Sequence, residues 1–125
     1  MKLLADPDVY SDAVLDRFED PPGAGWFDAP DRVGCASSKI RNSQVCFAVR
    51  LDGDAVAEAR FRARGCPHTI AAASAASEAL RGLALEALAS FDAESIVTGL
   101  PIPANKLDIR ILIEDAVRAA SQQDG

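Results

Sequence analysis

A chain of 125 residues is the size of one domain, and 49% hydrophobic with 26% charged residues give it the means to build a core, which excludes a disordered chain. Thirteen Lys and Arg against nineteen Asp and Glu leave a net charge of −6, so no global positive field gathers the phosphates of a nucleic acid. Three cysteines with no C-x-x-C spacing argue against a disulfide framework and against an all-cysteine zinc site, and point to a reducing, cytoplasmic compartment.

The apolar run at Met1–Ala5 is too short for a signal peptide, and no later run approaches a membrane span. Ser11 is placed to cap a first helix running to about Glu19, with Val14, Leu15 and Phe18 on one stripe; Pro21-Pro22-Gly23 ends it. Residues 23–43, rich in Gly, Pro, Asp and Ser, read as a long loop anchored on the core by Trp26 and Phe27. Val45, Phe47, Val49 and Leu51 then alternate with polar or small residues, and Ala55 to Ala63 repeats the two-residue period, so the two segments form a hairpin. A three-residue loop, Asp52 to Asp54, pairs Phe47 with Ala59 and Val45 with Phe61, and sets Cys46 opposite Arg60 with Arg62 diagonal to it. On that face Cys46 reads either as a cation-activated thiol or as an inert surface residue, and the Arg60, Arg62, Arg64 row either as a solvated face or as a dock for an acidic partner.

A helix is expected over 69–80, its Ala/Ser-rich middle suited to close packing. Further helices are expected over 83–89 and, briefly, 92–97; an extended segment spans 100–105. A last helix from about 106 to Ala120 carries Ile109, Leu112, Ile113, Ala116, Val117 and Ala120 on its apolar side. Two or three antiparallel strands followed by about five segregated helices define an α+β fold. P-loop, dinucleotide, metalloprotease and nucleophile-elbow motifs are all absent. What remains is Gly65-Cys66-Pro67-His68, where Cys66 falls at a helix N-terminus that favours its thiolate. Cys66 is the leading nucleophile or metal ligand. His68 reads either as a second ligand, since thiolate with imidazole suits zinc or iron, or as a capping or surface residue.

The order of these segments resembles the IscU/NifU-type iron-sulfur cluster scaffold family, whose fold is shared by SufE-type sulfur acceptors. The resemblance runs through Tyr10-Ser11 with Val14, Asp16, Phe18 and Pro21, through residues 45–51, through Ala59-Arg60-Phe61 and Gly65-Cys66 with Ile70-Ala71 and Ser74, and through Lys106 with residues 111–120. It implies one scaffold-type domain over 1–125 with a SufE/IscU-like sheet of two to three strands. Of the family's ligands only Cys66 has a matching residue. The Cys-Gly-Asp of the family falls on Arg41-Asn42-Ser43, its His-Cys pair on Asp108-Ile109, and the reactive cysteine of the SufE type on Arg41 again. A displaced set of Cys35, Cys66, His68 and Asp108 would suit a single zinc or iron ion better than a cluster held by four thiolates; otherwise Cys35 is a loop thiol and Asp108 a helix cap.

The resemblance implies an iron-sulfur cluster assembly protein of the scaffold type, not an enzyme. It would bind iron, zinc or a cluster, or accept sulfur at Cys66, with a cysteine desulfurase and other assembly proteins as partners. The alternative is a non-catalytic adaptor that has lost the metal site. Ile102-Pro103-Ala104-Asn105-Lys106 keeps only the Pro and the Lys of the segment recognised by an Hsp70-type chaperone in the IscU branch. A monomer or weak homodimer, with no nucleic acid or membrane partner, completes the expectation.

Overall fold

The computed structural model describes residues 10–40 and 42–122. Ser11 opens the first helix, α1 (Asp12–Glu19), its side-chain oxygen accepting the Val14 N–H at 3.2 Å. Three strands follow, β1 (Arg32–Ser38), β2 (Ser43–Asp52) and β3 (Ala55–Arg64), antiparallel in the order β1-β2-β3. Then come α2 (Pro67–Leu80), a 3-10 helix (Leu85–Ser90), α3 (Glu94–Gly99), a 3-10 turn (Ala104–Lys106) and α4 (Asp108–Ala120). After α1 the strands come together and the remaining helices follow them, which gives the expected α+β fold.

The two-residue period of β2 and β3 sends Val45, Phe47, Val49, Ala59 and Phe61 to one face of the sheet, all buried, where α2 and α4 cover them. All six residues expected on the apolar side of α4 are buried. In α2, Ala71, Ala72, Ala73 and Ala76 are completely buried, and their lack of bulk lets the helix lie close on β3 and α1. β1 meets α4 through Gly34, where an added Cβ would overlap the backbone of Ala116 and Ala120. Beyond β3, the Gly25 N–H donates to the Phe61 carbonyl at 3.0 Å and the Phe61 N–H donates to the Gly23 carbonyl at 2.9 Å, so a loop occupies an edge that would otherwise present unpaired backbone.

Several expectations need correction. Residues 23–43 are not one long loop, because β1 lies within them. Its sequence, Arg-Val-Gly-Cys-Ala-Ser-Ser, shows no apolar alternation because Gly34 stands where a buried side chain would otherwise point at α4. Trp26 and Phe27 do not anchor on the core. They lie on the outer face of the sheet under arginines, Trp26 at 4.6 Å from the Arg62 guanidinium and Phe27 at 5.3 Å and 5.5 Å from those of Arg50 and Arg60. The hairpin turns on two residues, Gly53 and Asp54, and then carries a bulge at Ala57, so Phe47 pairs with Phe61, Val45 with Ala63 and Cys46 with Arg62. Beyond the bulge this register differs from the expected one by two residues, which leaves Ala59 to Arg64 on their expected faces, whereas the bulge turns Val56 into the core and Ala57 out to solvent, the reverse of the expected alternation. The segment expected as a helix over 83–89 is a 3-10 helix displaced toward Phe91, and α2 begins at Pro67, two residues earlier than expected.

Candidate functional site

The site begins at Gly65, whose φ of +154° suits glycine, and where a Cβ would come within 3.0 Å of the Cβ atoms of both Ser43 and Thr69. This tight turn ends β3 and delivers Cys66 to the N-cap of α2, with Pro67 starting the helix. The Cys66 sulfur lies 3.6 Å from the Thr69 hydroxyl and 3.8 Å from Lys106 Nζ. Partial burial pushes the thiol up. The Thr69 N–H and hydroxyl, the Lys106 ammonium and the His68 N–H outweigh that push and hold it below its ordinary value.

Lys106 is only 4% exposed. Its Nζ lies 3.0 Å from His68 Nδ1 and 5.3 Å from the centre of the Tyr10 ring, which in turn packs on the His68 ring at 4.6 Å. An ammonium has donors only, so Nδ1 accepts, and the ring proton belongs on Nε2. His68 is therefore a buried member of the site rather than the capping or surface residue of one sequence reading. The early start of α2 at Pro67 places it inside the first turn. Tyr10, Cys66, His68 and Lys106 thus draw α1, α2 and the segment before α4 to one point.

Two residues escaped the sequence reading as site members. Lys106 is remote in the chain from Cys66, and a lone lysine after a Pro-rich segment gives no hint of burial. Ser43 is 2% exposed, packs against the Gly65 turn, and its hydroxyl has no hydrogen-bond partner among the described residues. Its place in the family's Cys-Gly-Asp motif was the one available signal. Arg41, two residues before it, lies outside the described residues.

The displaced four-ligand set is not assembled. Cys35 is exposed on the outer face of the sheet and forms a disulfide with Cys46, its partner across β1 and β2, so neither is a free thiol. This overturns the expectations of no disulfide, of Cys46 as an activated thiol and of Cys35 as a metal ligand. Cysteines eleven residues apart gave no recognisable spacing because β1 itself was not legible. Asp108 opens α4 beside a depression lined by Ser38, Ile40 and Ile111. Among the described residues no three His, Cys, Asp or Glu side chains converge to hold a metal ion. None of the described helices is long and apolar enough to cross a membrane.

A three-stranded antiparallel sheet backed by helices, with the free Cys66 at the turn from β3 into α2, makes a small α+β domain of the kind seen in NifU- and IscU-like scaffold structures. The chain belongs to the NifU-like N-terminal domain family, which matches residues 9–123. It is 30% identical over 116 residues to the iron-sulfur cluster assembly scaffold protein IscU of Azotobacter vinelandii, covering 90% of this chain and 91% of that protein, and equally to IscU of Escherichia coli. Its fold is similar to that of a crystal structure from Fervidobacterium islandicum titled as an iron-sulfur cluster assembly scaffold for the SUF system, with a TM-score of 0.75, 15% identity and coverage of 90% and 96% of the two chains. A NifU-like N-terminal protein of Brucella abortus gives a TM-score of 0.70 at 16% identity, covering 88% and 90%.

Proposed function

We propose that this protein works in iron-sulfur cluster assembly as a scaffold-type sulfur acceptor, with Cys66 as the residue that takes the sulfur. The observation that carries the reading is the lowered thiol of Cys66, 3.8 Å from the buried Lys106, in a chain related over nearly its whole length to proteins named as cluster scaffolds. The chemistry needs a single thiolate. Cys66 as thiolate attacks the outer sulfur of a persulfide on a cysteine desulfurase. The bond between the desulfurase sulfur and that outer sulfur breaks, its electron pair leaves on the desulfurase cysteine, and Cys66 carries the persulfide. Lys106 then stands beside the negative charge on the new terminal sulfur, and the Ser43 hydroxyl, packed against the Gly65 turn, is a donor with no partner among the described residues.

Iron, zinc or a cluster enters this reading as cargo. The donor set fits it only in part: Cys66 offers a thiolate, but His68 Nδ1 is engaged by Lys106 at 3.0 Å and Cys35 is bonded to Cys46. Cys66, with His68 released from Lys106 or with Asp108, would hold an ion whose remaining ligands come from a second chain or a partner. That incomplete set also favours a second reading, an adaptor that binds the assembly machinery without carrying sulfur or metal.

The test is incubation with a cysteine desulfurase and cysteine, followed by intact-mass and labile-sulfide analysis. One added sulfur per chain, lost in Cys66→Ser, is the expected outcome. A native chain that gains no sulfur, and no iron or acid-labile sulfide under anaerobic reconstitution, would leave the adaptor.

A further inference from the structure

The sheet face turned away from the helices carries chemistry that the Cys66 site does not use. Cys35, which is exposed, and Cys46, which is partly so, are joined there by their disulfide. Arg62 stands directly opposite Cys46 on β3, Arg64 directly opposite Gln44, and these residues line a depression in the surface beside the disulfide. The Arg62 guanidinium lies over the Trp26 ring at 4.6 Å, a stacking that holds its plane and leaves its N–H edge to meet a carboxylate. In a chain of net charge −6, two arginines beside an accessible disulfide form a local field opposite in sign to that of the whole molecule.

We propose that the Cys35–Cys46 pair is a thiol–disulfide exchange site for small anionic thiols, with Arg62 and Arg64 as the subsite that binds the carboxylates. The incoming thiolate attacks the exposed Cys35 sulfur. The bond between the two protein sulfurs breaks, and its electron pair leaves on Cys46, where Arg62 stabilises the thiolate and makes it the better leaving group. Cys35 is then held in a mixed disulfide with the small thiol. A second thiolate attacks the small-thiol sulfur of that bond and expels the Cys35 thiolate. The protein disulfide is thereby reduced by two electrons and two thiols are oxidised to their disulfide; the reverse sequence, driven by the small disulfide, restores the bond. The proposal stands apart from sulfur acceptance at Cys66, which lies across the sheet and takes no part in it. It also reconciles a surface disulfide with a composition that suggested a thiol-rich compartment, since the pair would follow the thiol poise of its surroundings.

Rate measurements on the oxidised full-length chain test this, with peptide-level mass spectrometry of Cys35 and Cys46 as the readout. Glutathione, which carries two carboxylates, is compared with neutral 2-mercaptoethanol and cationic cysteamine, each rate expressed per thiolate. Reduction by glutathione should be about tenfold faster than by 2-mercaptoethanol, slowest with cysteamine, and should pass through a mixed disulfide on Cys35. In Arg62→Gln/Arg64→Gln that advantage should shrink to about twofold or less, and in Arg62→Lys/Arg64→Lys it should largely return. Both positions are exposed, and circular dichroism checks that the variants fold. Equal rates for the three thiols, an advantage unchanged in the glutamine variant, or free thiols at Cys35 and Cys46 in the oxidised chain would each overturn the proposal.

Discussion

Thr69, through its N–H and hydroxyl, lowers the Cys66 thiol most, and Lys106 adds its charge. The Lys106 ammonium is held in place by His68 Nδ1 and the Tyr10 ring and so cannot swing into solvent as a surface lysine does. Because the thiol lies below its ordinary value, the thiolate persists to lower pH than in an unfolded chain. The stability this gives is complete above the unfolded value and is lost as pH falls through the folded one. The pH profile of Cys66 alkylation by iodoacetamide, followed at the peptide level, should have its midpoint below that of a free cysteine. Thr69→Val, which keeps the shape and removes the hydroxyl, and Lys106→Met should each move it upward and slow alkylation at neutral pH several-fold. An unmoved midpoint in both would deny these two groups their role. Cys66 was legible in the sequence because Gly-Cys-Pro before a small-residue run is a local pattern; Lys106 and Ser43 were not, because a neighbour brought in by tertiary packing leaves no local trace.

At the scale of elements, α4 is tied in from two sides. On one side Gly34 of β1 packs against the backbone of Ala116 and Ala120. On the other, the buried Glu114 accepts the Ala93 N–H at 2.9 Å and the Arg110 Nε–H at 3.0 Å, while Arg118 donates to the Phe91 carbonyl at 2.9 Å. Gly34→Ala leaves the added methyl no room and should cost about 3 kcal/mol, read as a lower midpoint in chemical denaturation. Glu114→Ala strands the Ala93 N–H and leaves Arg110 only its pairing with Asp92, and should cost about 2 kcal/mol by the same measurement. The same features explain what the sequence withheld. Strong periodicity made β2, β3 and α4 legible, and from Ala59 onward faces survived the misplaced register because the error there was an even number of residues, while before the bulge Val56 and Ala57 exchange the faces expected of them. β1 stayed hidden because its inward position is a glycine, and the bulge at Ala57 has no marker in a run of Ala, Val and Glu.

For the molecule as a whole, the Cys35–Cys46 bond closes a short loop between β1 and β2. Breaking it in the Cys35→Ser/Cys46→Ser variant should lower stability by about 2 kcal/mol while leaving the far-ultraviolet circular dichroism unchanged, since the β1–β2 ladder and α4 still hold the strand. A larger loss, with loss of secondary structure, would mean that the fold depends on the bond. The contact of Gly34 with Ala116 and Ala120 also has a temporal side. It joins a strand made early to a helix made late, so during synthesis the sheet emerges with part of its apolar face bare, and the inner face of β1, though the strand can already pair with β2, stays uncovered until α4 leaves the ribosome. Completion of this fold is thus a late, nonlocal event, and a chain cut short before α4 would expose Val45 and Phe47 to whatever surrounds it.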